Sequence, residues 1–434
     1  MNEVMVGIIG LVVVLALFLT GIELAFAMAL VGVAGFAYLV SLPAALNVLA
    51  KDVFSVFSSY SFTVVPLFIL MGQIAYNAGI AKGLYSTAYK FIGHIPGGLA
   101  MATVGGAAAF GTITGSSSAT AATFASIAVP EMDRYKYNRS LSAGVCASSG
   151  TLGSLIPPSV TLIVFGMITE LSIGKLFTAS IIPGIIVAVL FAVVIYVSCK
   201  INPSWGPAGP AATWGERIRS LSRVIWVLLI FLVMIGGMTI GLFTPTEGGS
   251  VGTCAILLLA LLQRDINFKG FTKSVVESMM MACMTLMLIA GSTVFGHFLT
   301  ITKIPMLAAD WLSHLPMPPS MIMLMILMFY LVGGSFIDDM AFMVLATPIL
   351  YPAVLKIGYD PLWFGIILHI FVMIGMIIPP VALNVFVVKN LTKMGFNEVY
   401  KGVYPFLTAM VAAAVLMFLF PQLALWLPSA FAAR

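Results

Sequence analysis

Charge is scarce in this chain. Asp, Glu, Lys and Arg make up 8% of its 434 residues, where soluble domains carry roughly 25%. That scarcity excludes an ordinary soluble domain. Cysteine is sparse too: Cys146, Cys199, Cys254 and Cys283 stand far apart with no CxxC spacing. This excludes a disulfide framework or thiolate metal site and leaves them as small core hydrophobes. His94, His297, His314 and His369 show no metal-ligand spacing, and no GxxxxGK[ST] loop is present to bind and hydrolyse ATP. The first apolar run lacks a basic flank, so no cleavable signal peptide is expected. What is abundant is apolar: 61% of residues are hydrophobic, in runs such as 4–19, 224–242, 280–289 and 403–420. Several approach the ~20 residues that carry a helix across a bilayer. The expected fold class is an all-α polytopic membrane protein.

The few basic residues define sidedness. With the clusters Arg134/Lys136/Arg139 and Lys200/Arg217/Arg219/Arg223 placed inside, counting spans puts fifteen of the 20 Lys and Arg inside. Only Lys51, Lys175, Lys303, Lys356 and Arg434 fall outside, a strong positive-inside bias. The spans then lie near 4–20, 22–40, 61–78, 141–165 and 176–199, with an interfacial arm at 80–95 and a hairpin at 97–131. The second half has spans near 224–242, 247–262, 280–299, 362–387 and 404–426. Its arms are at 264–279 and 303–315, and its hairpin is at 317–350. Two full crossings in place of either hairpin return the same sidedness.

The two halves echo each other. "TGIE" at 20–23 returns as "TPTE" at 244–247, "HIP" at 94–96 as "HLP" at 314–316, "GSLIPP" at 153–158 as "GMIIPP" at 375–380, and Pro183 as Pro405. These matches keep one order at a nearly constant offset. Each half has an odd number of spans, so the second copy is inserted upside down, as in many secondary transporters. The expected division is a first repeat at 1–200 (scaffold spans and arm 1–95, hairpin 97–131, broken helix 141–165), a cytoplasmic linker at 201–223 and a second repeat at 224–434 (scaffold spans and arms 224–315, hairpin 317–350, broken helix 362–387).

Each half has two polar breaks: "GTITGSSSATAATFASIAVPEM" and "SSGTLGSLIPPS" in the first, "GGSFIDDMAFMVLATPILYP" and "IGMIIPPVALN" in the second. Gly, Ser and Thr followed by Pro-Pro unwind a helix, and freed backbone groups survive at membrane depth only when buried in protein or lining a cavity. Unwound ends offer N–H groups to an anion and carbonyls to a cation. None of the four regions contains Lys or Arg, so an anion would rely on helix ends, hydroxyls, Asn384 and bound cations. A hard cation takes oxygen ligands, and Ser116, Ser117, Ser118, Thr151, Ser335 and one carboxylate could supply them. The acid of "FIDD" could equally cap the second hairpin helix. Glu23 and Glu247 each follow a threonine by three residues and are read as capping-box residues. Glu131, Asp133 and Glu170 sit at span ends and are expected to be solvated. His297 and His369 are read as core or interface residues.

"FGTITGSSSATAATFASIAVPEM", "SSGTLGSLIPPS", "GLFTPTE", "FIDD…ATPILYP" and "PPVALN" together resemble the large membrane subunit of tripartite ATP-independent periplasmic (TRAP) transporters over essentially the whole chain. The resemblance implies an elevator-type secondary transporter of the bacterial inner membrane with two re-entrant hairpins and discontinuous helices. It implies sodium as coupling ion, with no organic cofactor. It also implies a small four-helix membrane subunit and a soluble periplasmic binding protein as partners, and organic-acid substrates. Carried over by residue, Ser116, Ser117 and Ser118 form the first tip, facing Thr151 and Gly153. Gly334, Ser335 and Asp338 form the second, facing Gly375, Pro379 and Asn384. Ser116, Thr151, Ser335 and Asp338 are the expected sodium ligands. Asp339 falls where the family varies and is expected to be a cap or a solvated neighbour.

Rival expectations are a stand-alone ion-coupled carboxylate transporter or cation antiporter, an intramembrane protease, and a membrane scaffold. An aspartyl protease needs a second facing acid, and residues 97–130 contain none. A serine mechanism needs a base, and no histidine accompanies the serine cluster.

Overall fold

A computed structural model describes residues 2–432, leaving Arg434 outside the described residues. It is all helical among those residues. The first two spans form α1 (Glu3–Leu19) and α2 (Leu24–Leu39). An amphipathic α3 (Leu42–Ser58) follows. A scan for apolar runs passes over it because its apolar residues occupy one face. A 3-10 turn then leads into α4 (Val64–Asn77), with a bend of 55°. The expected arm is α5 (Ile80–Ile92), and the expected hairpin is α6 (Gly98–Thr114) with α7 (Ser117–Arg134). The broken helix is α8 (Arg139–Leu155) and α9 (Val160–Ile168), bent by 43° across Ile156–Ser159. The long α10 (Ile173–Ile201) ends the half.

The linker is shorter than expected. Thr213 and Glu216 form a reciprocal capping box that starts α11 (Trp214–Thr239), so helix already occupies the second part of 201–223. Residues 202–213 are strapped down by backbone bonds: Gly97 N–H to Gly206 O at 2.8 Å, Gly209 N–H to Gly93 O at 2.9 Å, and Asn138 N–H to Trp205 O at 3.0 Å.

The second half continues with α12 (Pro245–Leu262) and α13 (Phe268–Ile301). The expected arm at 264–279 and span at 280–299 are one 34-residue helix, since no Gly or Pro lies between Phe271 and Ala290 to break it. Next come α14 (Ile304–Ser313), the hairpin α15 (Pro319–Gly334) and α16 (Asp339–Lys356), and the broken pair α17 (Pro361–Gly375) and α18 (Leu383–Thr392). The expected last span at 404–426 is α19 (Phe396–Leu419) followed by a separate α20 (Gln422–Ala432), interrupted at Pro421. Five helices, α10, α12, α13, α16 and α19, are individually long and apolar enough to cross a membrane.

Two smaller expectations change. Thr244 and Glu247 do form a capping box at α12. Glu23 makes no capping bond at α2, because Thr20 turns its hydroxyl back to Leu17 O at 2.6 Å. Cys146 and Cys199 are buried, whereas Cys254 and Cys283 are exposed on α12 and α13 and are not core residues.

The halves repeat the same order of elements and interlock. Helices α2 and α4 pack on α13, and α4 also packs on α12. At the crossing of α8 and α19, Gly144 and Gly402 meet backbone to backbone: a Cβ on Gly144 would overlap the Gly402 backbone, and one on Gly402 would overlap the Ser140 carbonyl. This is how small residues let membrane helices approach.

Candidate functional site

The two hairpin turns are held in matching ways. In the first, Gly115 ends α6 at φ +61, the left-handed region that suits glycine, and a Cβ there would lie 2.6 Å from Pro158 O. Its carbonyl accepts from Val160 N–H, just past the first break, at 3.3 Å. In the second, the Ser335 carbonyl accepts from Val381 and Ala382 N–H, just past the second break, at 3.2 and 3.3 Å. The Pro157–Pro158 and Pro379–Pro380 bonds are both cis. Each unwound segment thus lends backbone donors to its own half's hairpin turn.

Beyond each break the chain changes partner. The pre-break helix packs on its own hairpin: α8 on α6 and α7, and α17 on α15. The post-break helix packs on the opposite one: α9 on α16, and α18 on α7. Four breaks therefore converge on one centre.

Around the first turn, the Ser116 hydroxyl caps α7 by accepting from Ala119 N–H at 3.4 Å. A Cβ on Gly153 would lie 2.8 Å from Ser116 O, so α8 is pressed against the turn where it has no side chain. Thr151 is fully buried in α8 and donates to Ser148 O at 2.7 Å. Asn384, expected beside the second turn, is at the first: its amide donates to Ser117 Oγ at 2.8 Å and to Ala147 O at 3.1 Å. The change of partner beyond the break explains the difference. Three buried oxygens here, Ser148 Oγ, Ser149 Oγ and Asn384 Oδ1, have no hydrogen-bond partner.

At the second turn, a Cβ on Gly375 would lie 2.6 Å from Gly334 C. The Ser335 hydroxyl donates to Val332 O at 2.7 Å, and Asp338 caps α16 by accepting from Met340 N–H at 3.2 Å. Pro379 belongs to the cis pair behind this turn. Asp339 is neither a cap nor solvated. It is only 6% exposed, and its Oδ2 accepts from Thr161 Oγ1 at 3.0 Å and Ser154 Oγ at 3.3 Å. His369 Nε2 lies 3.1 Å from Ser154 O. Sequence reasoning missed this cluster, although Asp339 and His369 were visible as polar residues in apolar runs.

A cavity of about 920 Å³ opens above both turns. Its floor includes Ser116, Ser117, Ser118, Thr161, Asp338 and Asp339, and its opposite wall is α2, α4 and α13, with Glu23, Gln73 and Glu277. Of the expected site residues, Thr151, Gly153, Gly334, Ser335, Gly375, Pro379 and Asn384 lie outside this lining. The lining holds four carboxylates (Glu23, Glu277, Asp338, Asp339) and no Lys, Arg or His. Glu277 is engaged from the wall side by Asn77 at 3.3 Å and by Lys273 at 3.7 Å.

A family model described as "Tripartite ATP-independent periplasmic transporter, DctM component" matches residues 11–423. Over 388 residues the chain is 34% identical to the C4-dicarboxylate TRAP transporter large permease protein DctM of Pseudomonas aeruginosa, covering 89% of this chain and 90% of that protein. It is 30% identical to the sialic acid TRAP transporter large permease protein SiaM of Vibrio cholerae, with the same coverage. Among solved structures, the Alcanivorax borkumensis YdaH transporter matches with a TM-score of 0.63 at 12% identity, over 87% of this chain and 89% of that one. That likeness concerns the fold.

Proposed function

This chain belongs to the DctM component family of tripartite ATP-independent periplasmic transporters, and on that premise we propose that it imports an organic anion by sodium-coupled secondary transport. It is a transport permease and not an enzyme, and it is a multi-pass protein of the bacterial inner membrane. Its substrate in this reading is a carboxylate, sugar acid or sulfonate, delivered by a periplasmic binding protein and passed to this chain in complex with a small four-helix membrane subunit. Relatives are named for C4-dicarboxylates, sialic acid, 2,3-diketo-L-gulonate, isethionate and ectoine.

The observation that carries the reading is the cavity's charge. A volume of about 920 Å³ accommodates a small organic acid, but every charged side chain lining it is a carboxylate. An anion entering alone would meet like charge in a low dielectric. Cations bound at the floor remove that penalty, and oxygen donors cluster at both turns. Ser116 and Thr151 would serve the first ion, Ser335 and Asp338 the second, with Asn384 Oδ1 and the Ser148 and Ser149 hydroxyls as further unpartnered oxygens beside the first turn. Gly153, Gly334, Gly375 and Pro379 shape the backbone behind them, and Ser117 and Ser118 face the substrate. In the elevator reading, the two hairpins are re-entrant and move with α8–α9 and α17–α18 past a scaffold containing α2, α4, α12 and α13. The interlocked packing of the four breaks supports movement as one body.

The test is reconstitution with the binding protein and small subunit, measuring uptake of a panel of organic acids with and without an inward sodium gradient. Uptake that ignores sodium ends the coupling proposal. Uptake by this chain without a binding protein would instead indicate a stand-alone carboxylate transporter or antiporter.

A further inference from the structure

The two breaks are built alike but supported differently. Pro157, Pro158 and Ser159 of the first are buried, and Ser159 caps α9 by accepting from Leu162 N–H at 3.2 Å. The second has neither support. Pro379, Pro380 and Val381 are exposed, and Ala382, the residue before α18, makes no side-chain cap. At the offset that relates Gly153 to Gly375 and Pro183 to Pro405, Ser159 corresponds to Val381, which has no hydroxyl. Ala382 also stands at φ +52, a left-handed conformation that a residue with a Cβ holds only under constraint from its surroundings. The constraint matters because the Val381 and Ala382 N–H groups are the donors that hold the Ser335 carbonyl.

Tyr400 of α19 supplies it. Its hydroxyl donates across Pro380 O at 3.2 Å and Val381 O at 3.4 Å. These carbonyls belong to the same two peptide units whose N–H groups donate to Ser335 O. Both units are trans and planar, so holding the carbonyl fixes where the N–H points. Tyr400 and Ser335 thus grip the segment from its two sides. The Tyr400 ring is itself held: it stacks on Phe396 with centroids 6.3 Å apart, and Phe396 meets Phe386 of α18 at 6.2 Å. Lys389 Nζ lies 5.1 Å over the Phe396 ring. Two residues beyond Tyr400, Gly402 seats α19 against Gly144 of α8. At the corresponding place in the first half, the Thr178 hydroxyl bonds Gly174 O at 2.8 Å and Thr239 Oγ1 at 3.0 Å in place of a break carbonyl.

We propose that Tyr400 is a positioning residue of the second turn. Through the two peptide units of 380–382 it fixes the Ser335 carbonyl, and with it the cation site that Ser335 serves. This deepens the sodium-coupled reading and rests on it.

The test follows amide hydrogen exchange in the full-length chain purified in detergent, across a sodium chloride series with choline chloride holding ionic strength constant. Tyr400→Phe removes the hydroxyl and keeps the ring in its stack. Tyr404→Phe, on an exposed ring one turn further along α19, is the control. In Tyr400→Phe, exchange of the Val381 and Ala382 amides is expected to accelerate. The sodium midpoint for their protection is expected to rise about tenfold, the lower end of what losing an outer-sphere partner costs a metal site. The Val160 amide, which makes the matching bond to Gly115 O at the first break, is expected to exchange as in wild type. Tyr404→Phe is expected to match wild type throughout. Exchange and midpoint unchanged in Tyr400→Phe overturn the proposal. Acceleration at both breaks alike, or acceleration with the midpoint unmoved, makes Tyr400 a purely structural contact and overturns it too. Wild-type exchange that ignores sodium at both breaks overturns the sodium reading and the proposal with it. The wild-type response therefore separates the two failures.

Discussion

The Asn384 side chain, on the second half's broken helix, donates a 2.8 Å hydrogen bond to the Ser117 hydroxyl on the first half's hairpin. The same amide nitrogen donates to Ala147 O of α8 at 3.1 Å. One side chain thus joins three elements whose order in sequence spans most of the chain. Its carbonyl oxygen remains buried and unpartnered, which suits a cation ligand. Asn384→Leu keeps the branching at Cγ and removes both bonds, leaving Ser117 and Ala147 without a partner at a cost of about 1–3 kcal/mol. The expected outcome is a lower melting temperature in detergent and loss of sodium-dependent uptake. A variant with wild-type melting and uptake would remove Asn384 from the site.

Gly334 and Gly375 hold the second hairpin against its broken helix. A Cβ on Gly375 would approach Gly334 C at 2.6 Å and Leu331 O at 2.7 Å. Both contacts are with backbone, which cannot swing aside like a side-chain end. Gly375→Ala is therefore expected to cost about 1–3 kcal/mol as an overpacking substitution and to displace the Ser335 carbonyl. Gly296, whose Cβ would meet nothing within 4 Å, provides the control: Gly296→Ala is expected to leave melting nearly unchanged. Equal melting temperatures for the two variants would contradict this packing.

How much of this was legible in the sequence depends on the range of the interaction. The hairpin turns were legible because Gly, Ser and Thr interrupt apolar runs at Gly115 and Ser335. The breaks were legible because Pro-Pro cannot continue a helix. Long-range pairing was not: nothing local to Asn384 says that its helix crosses to Ser117. The two adjacent acids were harder still. Successive residues on an α-helix point about 100° apart, so Asp338 can cap its own turn while Asp339 reaches α8 and α9. Only the packing of α9 on α16 decides which of them is buried.

On the surface, Asp310 of α14 and Lys356 at the end of α16 form an ion pair. The Lys356 ammonium holds the Asp310 carboxyl below its ordinary range, first through the hydrogen bond and then through its charge. A depressed carboxyl value adds stability above its unfolded value, and that stability is lost as the pH falls through the folded value. The pair is exposed, so the effect is small. Lys356→Met is expected to melt slightly below wild type near neutral pH. The two are expected to converge in acid, below the ordinary carboxyl range near pH 4. A difference that persists or widens in acid would show that Lys356 acts through another group.

Asp338 offers the sharpest test of the turn sites. It caps α16 by accepting from Met340 N–H at 3.2 Å and also lines the cavity. Asparagine is as good a cap as aspartate, so Asp338→Asn retains the helix start and removes only the charge. Its melting temperature without sodium is therefore expected to stay near that of wild type. Its sodium midpoint for uptake is expected to rise about tenfold or more, the equivalent of about 1.4 kcal/mol of lost cation binding. Asp338→Ala removes the cap as well and should lose a further ~1 kcal/mol of stability. The two substitutions together separate capping from ion binding. If the asparagine variant keeps the wild-type sodium dependence and only the alanine variant is impaired, Asp338 is a structural cap and not a sodium ligand.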